Sequence, residues 1–203
     1  MKTVCFEQGS IGTNCYIVFD ENSHKGFCVD ISDHASASFY RFIKEEKIEL
    51  IYLLLTHGHY DHTQDIGAFH REFPYTKIVI SQIDYENIQA GLDVFCEASI
   101  FPKPDILCTK DSELTFSQKP IQVIETPGHT SGSVCYLFEN MLFCGDTVFK
   151  GSIGRTDLPT GSFCDIMQSV KKIASLGNLK LLPGHMETTD IATQLIENPY
   201  FRV

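Results

Sequence analysis

Ile51-Tyr52-Leu53-Leu54-Leu55 runs straight into Thr56-His57-Gly58-His59-Tyr60-Asp61-His62. An unbroken apolar run of this length suits a strand buried on both faces. Behind it, three imidazoles and a carboxylate stand within six residues. These are the side chains that bind borderline divalent metals such as zinc and iron. The competing reading, a polar turn that happens to be rich in histidine, does not explain why later histidines follow the same plan.

Three further apolar runs end in a candidate ligand. Val123-Ile124-Glu125-Thr126-Pro127-Gly128 leads to His129, Leu142-Phe143-Cys144-Gly145 to Asp146, and Leu181-Leu182-Pro183-Gly184 to His185. Strand ends at one edge of a sheet can converge side chains from distant sequence. A glycine directly before each ligand permits a sharp turn and close backbone approach. Together the chain offers five imidazoles (His57, His59, His62, His129, His185) and two carboxylates (Asp61, Asp146). Tetrahedral zinc uses about four ligands. Seven groups therefore suit two divalent ions with one carboxylate bridging. Zinc is the first candidate, and iron or manganese could use the same donors. Such a pair, about 3.5–4 Å apart, holds a bridging hydroxide and polarises a carbonyl or phosphoryl oxygen. His24, His34 and His70 fall in a turn and on helices without partner motifs, and ordinary surface or packing roles are expected for them.

The 203 residues suit a single domain, 1–203, with a core that needs no disulfides. A formal charge of −10 argues against nucleic acid and against anionic membrane surfaces, and solubility suffices to explain it. Eight cysteines occur without a CxxC pair, several inside apolar runs, so reduced thiols are expected. The start shows no signal peptide and no run approaches about 20 apolar residues, which points to a cytoplasmic setting without a membrane span. The oligomeric state is left open.

Strands are expected over 14–19 and 26–30, then an amphipathic helix over about 34–47. After the histidine cluster a helix over 63–73 ends at Pro74, a strand covers 77–80, and Ser81 can cap a helix to about Gln89. Residues 91–110, with Pro102 and Pro104, read as a surface excursion that could cover a site. Strands follow at 112–116, 121–125, 133–138 and 141–144, then a helix at 163–175, a strand at 180–182 and a helix at 188–197. This order suggests two sheets face to face with helices outside.

The cluster resembles the H-x-H-x-D-H mark of the metallo-β-lactamase superfamily, here His57, His59, Asp61 and His62. Gly128-His129-Thr130, Gly145-Asp146-Thr147 and Pro183-Gly184-His185 match its later marks. The resemblance implies an αββα sandwich, an α/β fold of two mixed sheets. It implies one metal on His57, His59 and His129, a second on Asp61, His62 and His185, and Asp146 between them. Within the superfamily, Gly151 to Ser162 and His185-Met186-Glu187-Thr188-Thr189 are most similar to short glyoxalase II-type hydrolases. That likeness implies a thioesterase acting on lactoyl-glutathione or a related small-molecule thioester. A hydroxide held by the metals would attack the carbonyl, with Asp61 and Asp146 as catalytic ligands. The glutathione-gripping C-terminal helical domain of full-length relatives is expected to be absent. The family's basic residue near the site is answered by Arg155, either a substrate contact or a salt-bridge partner of Asp157. Asp157 and Glu187 stand where relatives carry an aromatic residue and a tyrosine.

Persulfide dioxygenases share the scaffold and a Gly-Arg-Thr-Asp stretch, using one iron on residues matching His57, His129 and Asp146. The 184–189 stretch looks more like the hydrolase branch. Non-hydrolytic diiron redox domains typically have glutamate where this chain has His59, and inactive binding relatives usually lose ligands that are all kept here. Lactamase activity and nucleic-acid processing are weaker alternatives, the latter requiring a clamp domain.

Overall fold

β-branched and aromatic runs open the chain, and they fold as strands. A computed structural model describes residues 1–33, 38–92 and 101–202. Strands β1 (Lys2–Gln8) and β2 (Thr13–Phe19) form a hairpin, and β3 (Lys25–Val29) pairs antiparallel with β2. The chain passes through α1 (Phe39–Glu45) to β4 (Glu49–Leu54). It continues through α2 (Tyr60–Thr63) and α3 (Ile66–Glu72) to β5 (Lys77–Ser81), then through α4 (Gln82–Gln89) to β6 (Ile106–Cys108). The β3–β4, β4–β5 and β5–β6 pairs are parallel. Parallel neighbours need crossovers, and α1 to α4 lie on them. The first sheet is ordered β1-β2-β3-β4-β5-β6.

The second sheet starts with an antiparallel meander: β7 (Leu114–Phe116), β8 (Lys119–Glu125), β9 (Val134–Phe138) and β10 (Met141–Gly145). A small hairpin, β11 (Val148–Phe149) and β12 (Ser152–Ile153), precedes α5 (Phe163–Ala174). Helix α5 crosses to β13 (Lys180–Pro183), parallel to β10. Strand β14 (Thr189–Asp190), α6 (Ile191–Glu197) and a 3₁₀ turn (Pro199–Phe201) follow, giving the order β14-β13-β10-β9-β8-β7.

Three apolar layers show how the sheets stack. Phe27, Tyr52, Leu54 and Val79 of the first sheet meet Phe116, Val123, Phe138 and Phe143 of the second. Phe27 lies edge-on to Phe116, Phe138 and Phe143, with centroids 5.2, 5.3 and 6.1 Å away. Leu50, Leu53 and Ile80 face Phe39, Ile43, Phe69 and Ile88 outside the first sheet. Cys144 and Leu181 face Val170, Ile173 and Ile191 outside the second. Strand β4 feeds both layers because successive side chains point to opposite faces, and the phase of that alternation slips at Ile51, which its register with β3 skips. Helix α5 buries Ile166, Ser169, Val170 and Ile173, a period-3.6 stripe, and Ser162 Oγ accepts from Asp165 N at its start. This is the αββα sandwich with two mixed sheets that the sequence implied.

Some element boundaries differ. The helix expected from residue 63 is two helices, and α2 starts at Tyr60, inside the histidine cluster. Ile106–Cys108, placed in the surface excursion, is an edge strand. Residues 93–100, the middle of the expected cover, lie outside the described residues, as do His34, Cys96 and the start of the helix expected from residue 34. Ser81 caps α4 as expected, accepting from Asp84 N at 3.3 Å. The seven described cysteines are free, and burial pushes the thiols of Cys28 and Cys144 well above the usual range. Among the described residues no helix is long and apolar enough to cross a membrane.

Candidate metal centre

The loops after β4, β8, β10 and β13 meet at one edge of the sandwich and carry the seven predicted groups. Short elements aim them: α2 carries Asp61 and His62, and the His62 ring lies 4.2 Å from that of His57. Three sets of three form, His57/His59/His129, His57/His62/Asp146 and Asp61/His62/His185, with the donor atoms of each set within 4.8 Å of one another. The middle set shares His57 with the first and His62 with the last, so Asp146 sits between them. His185 Nε2 is 3.1 Å from Asp61 Oδ2, and His62 Nε2 is 3.3 Å from Asp146 Oδ1.

Three of these atoms, His57 Nε2, His62 Nε2 and Asp146 Oδ1, are buried and make no hydrogen bond. An unsatisfied buried polar atom costs about 1–3 kcal/mol. Several in one place, all metal-ligand types and aimed at one another, fit a bound cation.

Other groups fix the far side of each ring. Asp30 Oδ2 is 2.8 Å from His62 Nδ1, the Arg155 carbonyl accepts from His129 Nδ1 at 2.8 Å, and the Gly12 carbonyl from His185 Nδ1 at 3.1 Å. Thr56 donates its hydroxyl to Asp30 at 2.8 Å, which leaves its oxygen to accept from His57 Nδ1 at 3.1 Å. Thr13 Oγ1 donates to Asp61 Oδ2 at 3.1 Å. Such partners set the tautomer and point the free nitrogen inward. His59 is the exception: its Nδ1 faces His129 Nε2 at 2.8 Å.

Electrostatics divides the rings. Burial pushes His57 well below its usual range and His59 down to about 4, so both are neutral donors. Burial acts the same way on His62, but Asp146, Asp61 and Asp30 together outweigh it and raise its pKa. Burial also lowers His185, where the hydrogen bond to Asp61 and the charge of Asp146 prevail upward. For Asp61 and Asp146 burial pulls upward, and the imidazoles, His62 foremost, hold both below the usual carboxylate range. Three carboxylates thus crowd one imidazole. A cation bound among them would balance their charge.

Two glycines are required by contact. Gly145 has φ +45°, and a Cβ there would lie 2.5 Å from Thr56 Oγ1. At Gly184 a Cβ would come within 2.2 Å of Asp146 Oδ1 and 2.5 Å of His62 Cε1, filling the space between ligands.

Sequence reasoning missed Asp30, Asp84 and Thr13. Asp30 had a signal, a carboxylate closing the apolar run Phe27-Cys28-Val29, as Asp146 closes its own. Asp84 had none. Its carboxylate accepts from Gly58 N (2.9 Å), Thr130 Oγ1 (2.8 Å) and Gly132 N (3.0 Å), tying the His57–His59 loop to the His129 turn. Arg155 forms the anticipated salt bridge, Nε and Nη2 donating to Asp157 at 2.7 and 2.8 Å, and also lines the cavity over the ligand cluster. That cavity measures about 840 Å³ and is walled by Ile11, Tyr60, Phe149, Ile153 and Leu158.

Residues 11–185 match the family model of the metallo-beta-lactamase superfamily. A probable metallo-hydrolase of Methanocaldococcus jannaschii is 32% identical over 146 residues, 68% of this chain and 70% of that protein. A hydroxyacylglutathione hydrolase of Francisella philomiragia is 28% identical over 199 residues, 95% of this chain and 71% of the relative. The crystal structure of the B3 metallo-beta-lactamase BLEG-1 superposes with a TM-score of 0.89 at 28% identity, covering 100% of both chains.

Proposed function

We propose a function from one premise: the chain belongs to the metallo-beta-lactamase superfamily. It is a metal-dependent hydrolase of thioesters. His57, His59 and His129 would hold one divalent ion, Asp61, His62 and His185 a second, and Asp146 lies between the two sets. The observation that carries this is the group of buried ligand-type atoms without hydrogen bonds, next to a cavity of about 840 Å³ that His59, Asp61, His129, Asp146 and His185 line. Divalent metals bound there would supply water of pKa near 7 and polarise a carbonyl oxygen.

The protein's own part is placement. Asp30, Thr56 and the carbonyls of Gly12 and Arg155 engage one nitrogen of each ring, so that the other faces inward, where it would ligate once free of its proton. Thr13 fixes Asp61. In the overall reaction water adds to the thioester carbonyl and the C–S bond breaks. Water's oxygen and one of its protons end in the acid, and the other proton ends on the thiol. A thiolate leaves without a strong acid because thiols ionise near pH 8.5. This suits a cavity wall that, among the described residues, holds no lysine. The hydroxyacylglutathione hydrolase among the relatives supports the same class of substrate.

Metal-loaded protein is expected to release thiol from a thioester panel that includes lactoyl-glutathione. Chelator treatment and His57→Ala should each abolish release while the circular dichroism of the fold remains. Wild-type turnover by His57→Ala would end the assignment. The full-length overlap with BLEG-1 favours a second reading, β-lactam hydrolysis, which a chromogenic cephalosporin tests directly.

A further inference from the structure

We propose that this cavity selects thioesters with uncharged, apolar groups over anionic ones, and that Asp157 and Glu187 impose the selection. The proposal deepens the thioesterase reading and rests on it. Among the described wall residues outside the metal-ligand candidates, Arg155 is the one basic side chain. One two-pronged edge of its guanidinium is already taken, because Nε and Nη2 each donate to a different oxygen of Asp157. The pairing also holds the Asp157 carboxyl down to about 2, so it is charged at neutral pH. Lys150, next in the chain to the wall residue Phe149, donates to one carboxylate oxygen of Glu187, two residues beyond His185.

Both pairs are solvent-exposed, with side chains 61% and 68% accessible in one and 45% and 77% in the other. Exposed pairs contribute little to stability, so their effect on the fold is small. Their effect on a ligand is larger. A substrate carboxylate reaching Arg155 or Lys150 must displace an aspartate or glutamate, or lie beside it. Like charges in that position repel, which is how a site discriminates against a wrong partner. The chain's net charge of −10 acts in the same direction.

What the opening does offer is apolar surface. Ile11, 54% exposed, precedes Gly12, whose carbonyl holds His185, and Met186, 59% exposed, follows His185. Asn14 Nδ2 donates to the carbonyls of Pro183 and Met186, locking the two segments together. Met186 has φ +68°, a region that long side chains seldom adopt. Ile11 thus joins Phe149, Ile153 and Leu158 in an apolar lining, and the exposed Met186 adjoins His185, another lining residue.

The test uses metal-loaded wild-type protein and the Asp157→Asn/Glu187→Gln double variant. Calorimetry measures binding of two hydrolysis-resistant thioethers with the same hexyl chain, S-hexyl-N-acetylcysteamine (uncharged) and S-hexylglutathione (anionic). Wild-type protein is expected to bind the uncharged compound at least tenfold more tightly. The double variant should tighten S-hexylglutathione about tenfold, with the gain fading in high salt as Arg155 and Lys150 are screened. Equal or stronger wild-type binding of the glutathione compound, failure to bind either compound, or a double variant without that shift overturns the proposal. Thiol release from the matching thioesters is measured in parallel. Selective binding without hydrolysis would refute the thioesterase reading and leave the binding preference standing.

Discussion

Asp30 shows how much one carboxylate outside the ligand set can decide. Oδ1 accepts from Thr56 N and Oδ2 from Thr56 Oγ1, while Oδ2 also faces His62 Nδ1, each at 2.8 Å. Asn tolerates the φ of +58° found there, so Asp30→Asn changes charge with little strain. We expect it to weaken metal binding about 10–100-fold in a chelator competition, as outer-shell losses typically do. Unchanged affinity would show that His62 needs no anion behind it. The neighbouring rings set a pH dependence. His59, with its pKa near 4, is neutral at pH 7 before and after loading and releases nothing. His62 is raised above its usual 6.5, so it carries a proton that it must lose to ligate. Loading at pH 7 should therefore release protons, and affinity should rise with pH until His62 has lost its own. Calorimetry in two buffers of different ionisation enthalpy measures the release, and zero release would contradict the charge balance inferred for the site.

At the scale of elements, strands that end in ligands were legible because both signals are local. An apolar run of four or five residues followed by Gly-His or Gly-Asp can be read without knowing what it packs against. Helix α2 was not legible: four residues with no apolar periodicity, inside a motif that reads as a loop. Strand β6 was hidden by its three-residue length and the prolines before it, and its place at a sheet edge comes from pairing with β5. The support groups Asp84 and Thr13 escaped notice because they act through contacts 26 to 48 residues away in sequence. Asp84 rises from α4 to hold two site loops at once. Asp84→Ala leaves buried donors on Gly58, Gly132 and Thr130, and should lower stability by about 2–3 kcal/mol in denaturant unfolding of the metal-free protein. A loss under about 0.5 kcal/mol would mean that the loops hold themselves.

At the scale of the whole molecule, two sheets form a scaffold that gathers ligand-type side chains at one edge. Two mixed sheets bury one apolar layer between them and one under each set of helices, so the strands stay rigid while the loops beyond their ends carry chemistry. Side chains from residue 57 to residue 185 meet there because the parallel β3–β4–β5 and β10–β13 pairs bring their strand ends to the same side. The likeness to BLEG-1 over the entire chain belongs to this scale, and so does the central claim that the edge is built for two ions. The direct measurement strips the protein with chelator, restores zinc, iron or manganese stepwise, and follows bound metal and thiol release from a thioester together. The account predicts binding that saturates near two equivalents per chain, with turnover appearing as the sites fill. Saturation at one equivalent, or undiminished turnover in the stripped protein, would contradict it.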